Sequence, residues 1–219
     1  MQTLLRLLAQ GGLAMTLLAP VCTAQETVSD ESPVRAVSAA SESHLLADRF
    51  MGRADAPVTV IGYSSLTCPH CAEFHTRILP RFKTHYIDTG KVKFIYRDFP
   101  LERVATAAAM LARCAPYDMY FRFLDALFGS QKTWSKAAKP RQLLASLARL
   151  GGMSEEEVDQ CLGNATLLTG LTAMRNEARD KYGIKATPSF VIGNKTHVGI
   201  VSYEVLVSLV EAALPQSSQ

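Results

Sequence analysis

The chain has 219 residues, of which 48% are hydrophobic and 20% are charged, and its formal net charge is +3. This length suits one domain, or one domain with a large insertion, and the apolar content is sufficient for a core. The small positive charge is scattered, which argues against a nucleic-acid-binding stripe, and no run of 18 apolar residues lies inside the part expected to fold.

The first 24 residues resemble a secretory signal peptide. Arg6 precedes an apolar stretch that ends at small residues, so we expect cleavage after Ala24. Two alternatives stay open: the segment is retained as a membrane anchor, or a lipid is attached at Cys22. Residues 25–48 are rich in Ser, Ala and Glu, and this composition predicts a flexible tail.

The first folded segment reads as a strand, a helix and a second strand. Residues 58–63 are short and β-branched, as expected of a buried strand. Pro69 suits the first turn of the following helix, and Pro80 inside that helix is expected to kink it near Thr76. Residues 91–96 alternate like a strand. The pattern therefore predicts a βαβ unit with a parallel strand pair.

Residues 101–183 read almost wholly as helix and are predicted to form an inserted helical subdomain. Residues that begin or end helices recur through this segment: Pro116, Gly129, Pro140, Gly151, Ser154, Asn164 and Gly183. Ser154 and Glu157 have the spacing of a capping box, and Asn164 is the predicted cap of a fifth helix that ends at Tyr182.

The strand pattern returns in residues 188–192. Gly193-Asn194 is a two-residue hairpin turn, after which residues 195–200 pair back. Ser202 is expected to cap a last amphipathic helix. The predicted fold is α/β, with element order βαβ, a helical insertion, then ββα.

Two short motifs resemble those of the DsbA-like thiol:disulfide oxidoreductases. Cys68-Pro69-His70-Cys71 follows a strand, and Thr187-Pro188 precedes one. The resemblance covers roughly residues 50–214 and implies a thioredoxin-like domain, built from residues 49–100 and 184–214 around the insertion, with a C-terminal tail at 215–219.

The resemblance also implies an activity and its partners. The disulfide of Cys68 and Cys71 would pass to cysteine pairs of folding exported proteins in the periplasm, and a membrane oxidase would restore it. No cofactor and no nucleic acid are expected. An X-Pro bond is usually trans, but the resemblance implies a cis Pro188 packed against the cysteines, with Thr187 and Pro188 binding the substrate chain and the Thr187 hydroxyl influencing the sulfurs.

The residues themselves predict two unequal thiols. Cys68 lies just before the helix, where unpaired N–H groups and the helix dipole stabilise a thiolate. Cys71 lies on the buried face, so we expect an unperturbed or raised pKa. Cys68 is then the exposed nucleophile and Cys71 the resolving thiol, while Pro69 and His70 tune the pair. Because a stable thiolate favours the reduced form, the disulfide is predicted to be an oxidant.

A CxxC motif can also bind a metal. A closed zinc site needs four ligands, and Cys114 and Cys161 do not form a second CxxC motif. Cu(I) held by Cys68, Cys71 and His70 remains an alternative, as does isomerase or reductase activity. No metal site is expected.

The remaining cysteines are predicted to bond to each other. Removal of Cys22 with the signal peptide leaves four cysteines, and an even number fits an oxidising compartment. If the close pair stays together, Cys114 bonds to Cys161 as a structural disulfide. Two buried free thiols are the alternative, and a regulatory bond stays open. His75, one turn beyond Cys71, is interpreted as a polar residue without a catalytic role.

Overall fold

The computed structural model describes residues 44–199 and 202–215. The predicted signal peptide, Cys22 and most of the predicted tail lie outside these ranges. Within them, no helix combines the length and the apolar character needed to cross a bilayer.

The centre of the molecule is a five-stranded sheet. Its strands are β1 (Arg49–Met51), β2 (Val58–Ser64), β3 (Val92–Asp98), β4 (Ser189–Ile192) and β5 (Lys195–Val198), in the order β1-β3-β2-β4-β5. The β2 and β3 strands are parallel, as predicted, and the other neighbours are antiparallel. The predicted strands are confirmed, whereas β1 was not predicted, because three residues carry no readable periodicity.

The helix that follows β2, α1, occupies residues 69–87 as four segments that follow without a break. The α-helical segments Pro69–Glu73 and Leu79–Phe82 alternate with the π-helical segments Phe74–Ile78 and Lys83–Ile87. Since Pro80 cannot donate a backbone hydrogen bond, the regular ladder fails one turn earlier. The disturbance predicted near Thr76 takes the form of a π-helical turn.

In the described ranges, the α-helices between β3 and β4 follow one another through short loops, and a last α-helix follows β5. They are α2 (Arg103–Cys114), α3 (Tyr120–Gly129), α4 (Gln131–Trp134), α5 (Pro140–Leu150), α6 (Glu155–Gly163), α7 (Ala165–Tyr182) and α8 (Tyr203–Glu211). Ser154 and Glu157 form the predicted capping box. Asn164 and Ser202 accept hydrogen bonds from Leu167 and Val205 as the predicted helix caps.

The sheet is covered on both faces. On one face Val60 and Phe94 pack with Phe74 of α1 in a core that continues without interruption into the helices of the insertion. On the other face Tyr63 packs with Ala178 of α7. The α/β class and the helical insertion are confirmed. The boundaries 49–100, 101–183 and 184–214 stay predictions, because one core runs through these parts of the chain.

A buried ion pair joins the sheet to the insertion. The guanidinium Nε of Arg113 on α2 donates to a carboxylate oxygen of Asp98 at 2.6 Å, and both side chains are inaccessible to solvent. The same guanidinium donates to the backbone carbonyls of Leu45 and Ala47. Arg113 therefore holds the end of β3 and the segment before β1 against α2.

Candidate active site

Cys68 stands at the N-terminus of α1. β2 ends at Ser64, and a short loop connects it to α1. Cys68 occupies the N-cap position of α1, with extended dihedral angles (φ −77°, ψ 121°). Pro69 occupies the first helical turn, where its missing N–H leaves no bond unmade. This geometry places the Cys68 sulfur beside the free N–H groups that begin the helix.

The environment of Cys68 strongly favours its thiolate. Its pKa is lowered to about 5, first by a hydrogen bond with the Cys71 thiol and then by the Thr187 side chain and the N–H groups of Cys71 and His70, while burial opposes these effects. In the thiol form, Sγ of Cys68 donates to the Thr187 carbonyl at 3.3 Å. Only 8% of Cys68 is exposed. The expectation of a freely exposed nucleophile is therefore wrong, because the Thr187 loop lies against the sulfur.

Cys71 has the opposite environment. It is fully buried on the inner face of α1. Burial raises its pKa most, and the neighbouring Cys68 sulfur raises it further, whereas a hydrogen bond with Ser64 acts weakly in the other direction. The raised pKa agrees with the expectation for this residue. The two sulfurs therefore form an unequal pair, with the negative charge held on Cys68.

His70 contributes less than predicted through its side chain. The imidazole is exposed, and its Nδ1 lies 3.8 Å from a carboxylate oxygen of Glu73. The identified effect of His70 on Cys68 is made by its backbone N–H. Pro69 is also exposed.

The Thr187-Pro188 loop faces the cysteines from the start of β4. The peptide bond between these residues is cis, as the family resemblance implied. The Thr187 carbonyl accepts a hydrogen bond from the Cys68 thiol. With Cys68 in the thiol form, the buried Thr187 hydroxyl makes no hydrogen bond to any described residue, so its effect on the pKa of Cys68 belongs to the thiolate form. A hydroxyl in this position has a donor available for a negatively charged sulfur.

Gln131 supports the cysteine loop and was missed by the sequence analysis. Its buried side-chain amide donates to the carbonyls of Leu66 at 2.7 Å and of Cys68 at 3.0 Å. The residue comes from α4, about sixty positions along the chain. A single glutamine in a helical segment gives no sequence signal for this contact.

His75 joins two helices. The buried imidazole Nε2 of His75 is 2.7 Å from a carboxylate oxygen of Asp125, which ties α1 to α3.

Cys114 and Cys161 are joined by a disulfide between the ends of α2 and α6, with Cα atoms 6.2 Å apart. Among residues 44–199 and 202–215, no three His, Cys, Asp or Glu side chains are grouped as metal ligands.

Comparisons with known proteins agree on one family. A sequence model of the thioredoxin family matches residues 45–212. A Rickettsia felis protein named "Putative protein-disulfide oxidoreductase" is 33% identical over 173 residues, which are 78% of this chain and 62% of that protein. The Bacillus subtilis disulfide bond formation protein D is 25% identical over 75% of this chain and 76% of its own length.

A solved structure gives the same result. The crystal structure of Wolbachia pipientis alpha-DsbA1 superposes with a TM-score of 0.71 at 32% identity, over 76% of this chain and 90% of that one. The chain thus spans most of a known structure but only 62% of the length of the Rickettsia felis relative.

Proposed function

Because the chain belongs to the thioredoxin family, in its DsbA-like branch, we propose that it is an exported thiol:disulfide oxidoreductase. It donates the Cys68–Cys71 disulfide to cysteine pairs of folding secreted proteins. The observation that carries this proposal is the asymmetry of the two thiols, with the pKa of Cys68 lowered to about 5 and that of Cys71 raised.

The first chemical step is attack on the oxidised protein. A substrate thiolate attacks Sγ of Cys68, the Cys68–Cys71 bond breaks, and its electron pair goes to Cys71. Because the pKa of Cys71 is raised by burial, this sulfur takes up a proton and does not compete for the mixed disulfide. The intermediate is a disulfide between Cys68 and the substrate.

The second step releases the oxidised substrate. Another substrate thiolate attacks the substrate sulfur of the mixed disulfide, and Cys68 leaves as a thiolate. A leaving thiol with a low pKa departs faster, so the environment of Cys68 accelerates this step. Two electrons now reside on the two cysteines. The stable thiolate favours this reduced form, which makes the protein an oxidant rather than a reductant.

The Thr187-Pro188 loop is proposed to hold the substrate. An extended chain pairs with exposed backbone groups through main-chain hydrogen bonds, which recognise no particular sequence. Thr187 contacts Cys68 directly, so a chain paired there presents its cysteine to the reactive sulfur. Pro69 and His70 form the exposed rim of the same site.

Location and reoxidation complete the proposal. The signal-like segment 1–24 supports export to the periplasm, where substrates carry free thiols. A membrane oxidase is proposed to restore the disulfide, because each turnover leaves Cys68 and Cys71 reduced. Cys114–Cys161 is proposed to be structural, since it lies within the insertion.

The test compares two substrates. We expect catalytic amounts of oxidised protein to restore activity to reduced, unfolded RNase, and the Cys68→Ser variant to be inactive in the same assay. Recovery from scrambled RNase alone would instead assign isomerase activity. Stoichiometric Cu(I) binding without any turnover would overturn the enzymatic proposal.

The equilibrium reduction potential of the Cys68–Cys71 pair tests independently whether the protein acts as an oxidant or as a reductant. We expect titration against glutathione to give a potential of about −120 mV, as for DsbA, rather than about −270 mV, as for thioredoxin. A thioredoxin-like value would make the protein a reductase.

A further inference from the structure

A basic groove lies where the chain leaves β3. It is lined by two apolar residues, Phe99 and Leu101, and by three cations, Arg175, Arg179 and Lys185, and its volume is about 310 Å³. Phe99 is buried, while 48% of Leu101 is exposed. The groove therefore combines an apolar floor with a positively charged wall.

One side of the basic groove is continuous with the loop that precedes Cys68. The Phe99 N–H donates to the Ser64 carbonyl at 2.8 Å, and the Cys68 N–H donates to the Ser65 carbonyl at 3.1 Å. The segment that supplies Phe99 is thus hydrogen-bonded to the end of β2, four residues before the reactive cysteine.

The other side is continuous with the substrate-binding loop. Lys185 comes two residues before Thr187, so their Cα atoms are at most about 7 Å apart. The Thr187 carbonyl lies 3.3 Å from Sγ of Cys68. A chain bound at Thr187 with its cysteine at Cys68 therefore has neighbouring residues within reach of the groove.

The three cations have no acidic partner among the residues that the structure describes. Arg175 donates only to the Pro100 carbonyl, at 3.1 Å. By contrast, Arg97 is paired with Asp48 at 2.7 Å, and Arg113 is paired with Asp98. Clustered cations without counter-charges create a positive potential that attracts anionic groups.

We propose that the basic groove binds acidic side chains of the substrate polypeptide, within a few residues of its reactive cysteine. This inference rests on the proposed function and names its preferred substrates. An acidic segment is repelled by the substrate's own thiolate, and the three cations offset that repulsion while this thiolate attacks Cys68. Leu101 contacts the apolar part of the same segment.

The experiment uses two dithiol peptides of equal length, identical except that the residues flanking the first cysteine are Glu in one and Lys in the other. The oxidised protein is mixed with each peptide and kcat/KM is measured. Because flanking charges also change peptide thiol reactivity, each rate is divided by that of the same peptide with hydroxyethyl disulfide, a neutral small disulfide.

We expect the normalised rate to favour the acidic peptide by about fivefold to tenfold, as two or three exposed ion pairs contribute. The preference should vanish at about 1 M ionic strength, where charges are screened beyond about 3 Å. The R179E/K185E variant should reverse the preference, whereas K136E/K139E, with the same charge change at exposed residues outside the groove, should keep it.

The outcomes separate this inference from the proposed function. Equal normalised rates for the two peptides with the wild-type protein would overturn the groove proposal and leave the oxidase activity standing. Failure to oxidise either peptide would overturn the proposed function itself. A preference lost equally in K136E/K139E would assign it to net charge rather than to the groove.

Discussion

The lowered pKa of Cys68 predicts a specific pH dependence of stability for the reduced protein. Its pKa is about 5 in the folded protein and about 8.5 in an unfolded chain. Because the folded pKa is the lower one, the thiolate contributes stability that is complete above about pH 8.5. That contribution is lost as the pH falls through about 5.

The size of the stability change follows from the pH range between the folded and unfolded pKa values of Cys68. Between about pH 8 and pH 5, at about 1.4 kcal/mol for each pH unit, the free energy of unfolding could fall by at most about 4 kcal/mol. Part of the thiolate remains at about pH 5 and Cys68 is nearly buried, so we expect a fall of roughly 3 kcal/mol. In the folded protein Cys71, whose pKa is raised, stays protonated throughout this window. In the unfolded chain its ordinary pKa of about 8.5 lies above the window, so Cys71 adds little to the change.

The assay is urea denaturation of the fully reduced protein at several pH values within this window, with Cys68→Ala measured in parallel. Carboxylates and histidines titrate in both proteins, so the difference between the two curves isolates the Cys68 thiolate. If the wild-type advantage were the same at about pH 5 and pH 8, Cys68 would not be a stabilised thiolate, and the argument for an oxidising disulfide would be lost.

Three further changes test other parts of the site. Cys71→Ser should accumulate mixed disulfides with substrates, visible on non-reducing gels, and full oxidase activity of this variant would contradict the two-thiol mechanism. Replacing Cys114 and Cys161 together by Ala should lower the free energy of unfolding by up to about 4 kcal/mol, from closure of a loop with a sequence separation of 47; lost activity at unchanged stability would instead make the bond regulatory. Gln131→Leu leaves the buried Leu66 carbonyl unpaired, while the Cys68 carbonyl keeps the N–H of Ala72, so it should cost about 1–2 kcal/mol in urea denaturation, whereas the exposed control Gln160→Leu should cost little, and equal small effects would argue against the support role of Gln131.

Much of the site could be predicted because its signals are local. The position of Cys68 at a strand–helix junction follows from the β-branched run before it and from Pro69 after it. The location of Cys71 on the buried face follows from helical periodicity. Each of these features depends on residues within one turn of the cysteine, and the structure agrees with both placements.

What could not be predicted depends on contacts between distant segments. The near-complete burial of Cys68 is caused by Thr187, which is 119 positions away, and the support from Gln131 crosses 63 positions. The pairing of Asp98 with Arg113 joins a strand to a helix of the insertion. Periodicity predicts which face of a helix or strand is buried. It does not identify the residues of other segments that pack against that face.

The order of strands in the sheet has a consequence for synthesis. The central strand β2 pairs with β3 on one side and with β4 on the other, where Val60 lies opposite Ile192. The whole insertion must be made between β3 and β4, which at about 5–20 residues per second takes roughly 5–20 seconds. Throughout that time β2 has an open edge that can pair with another chain. Pairing of β4 closes this edge, so the finished sheet is protected at β2 from a contact that remains open to the growing chain.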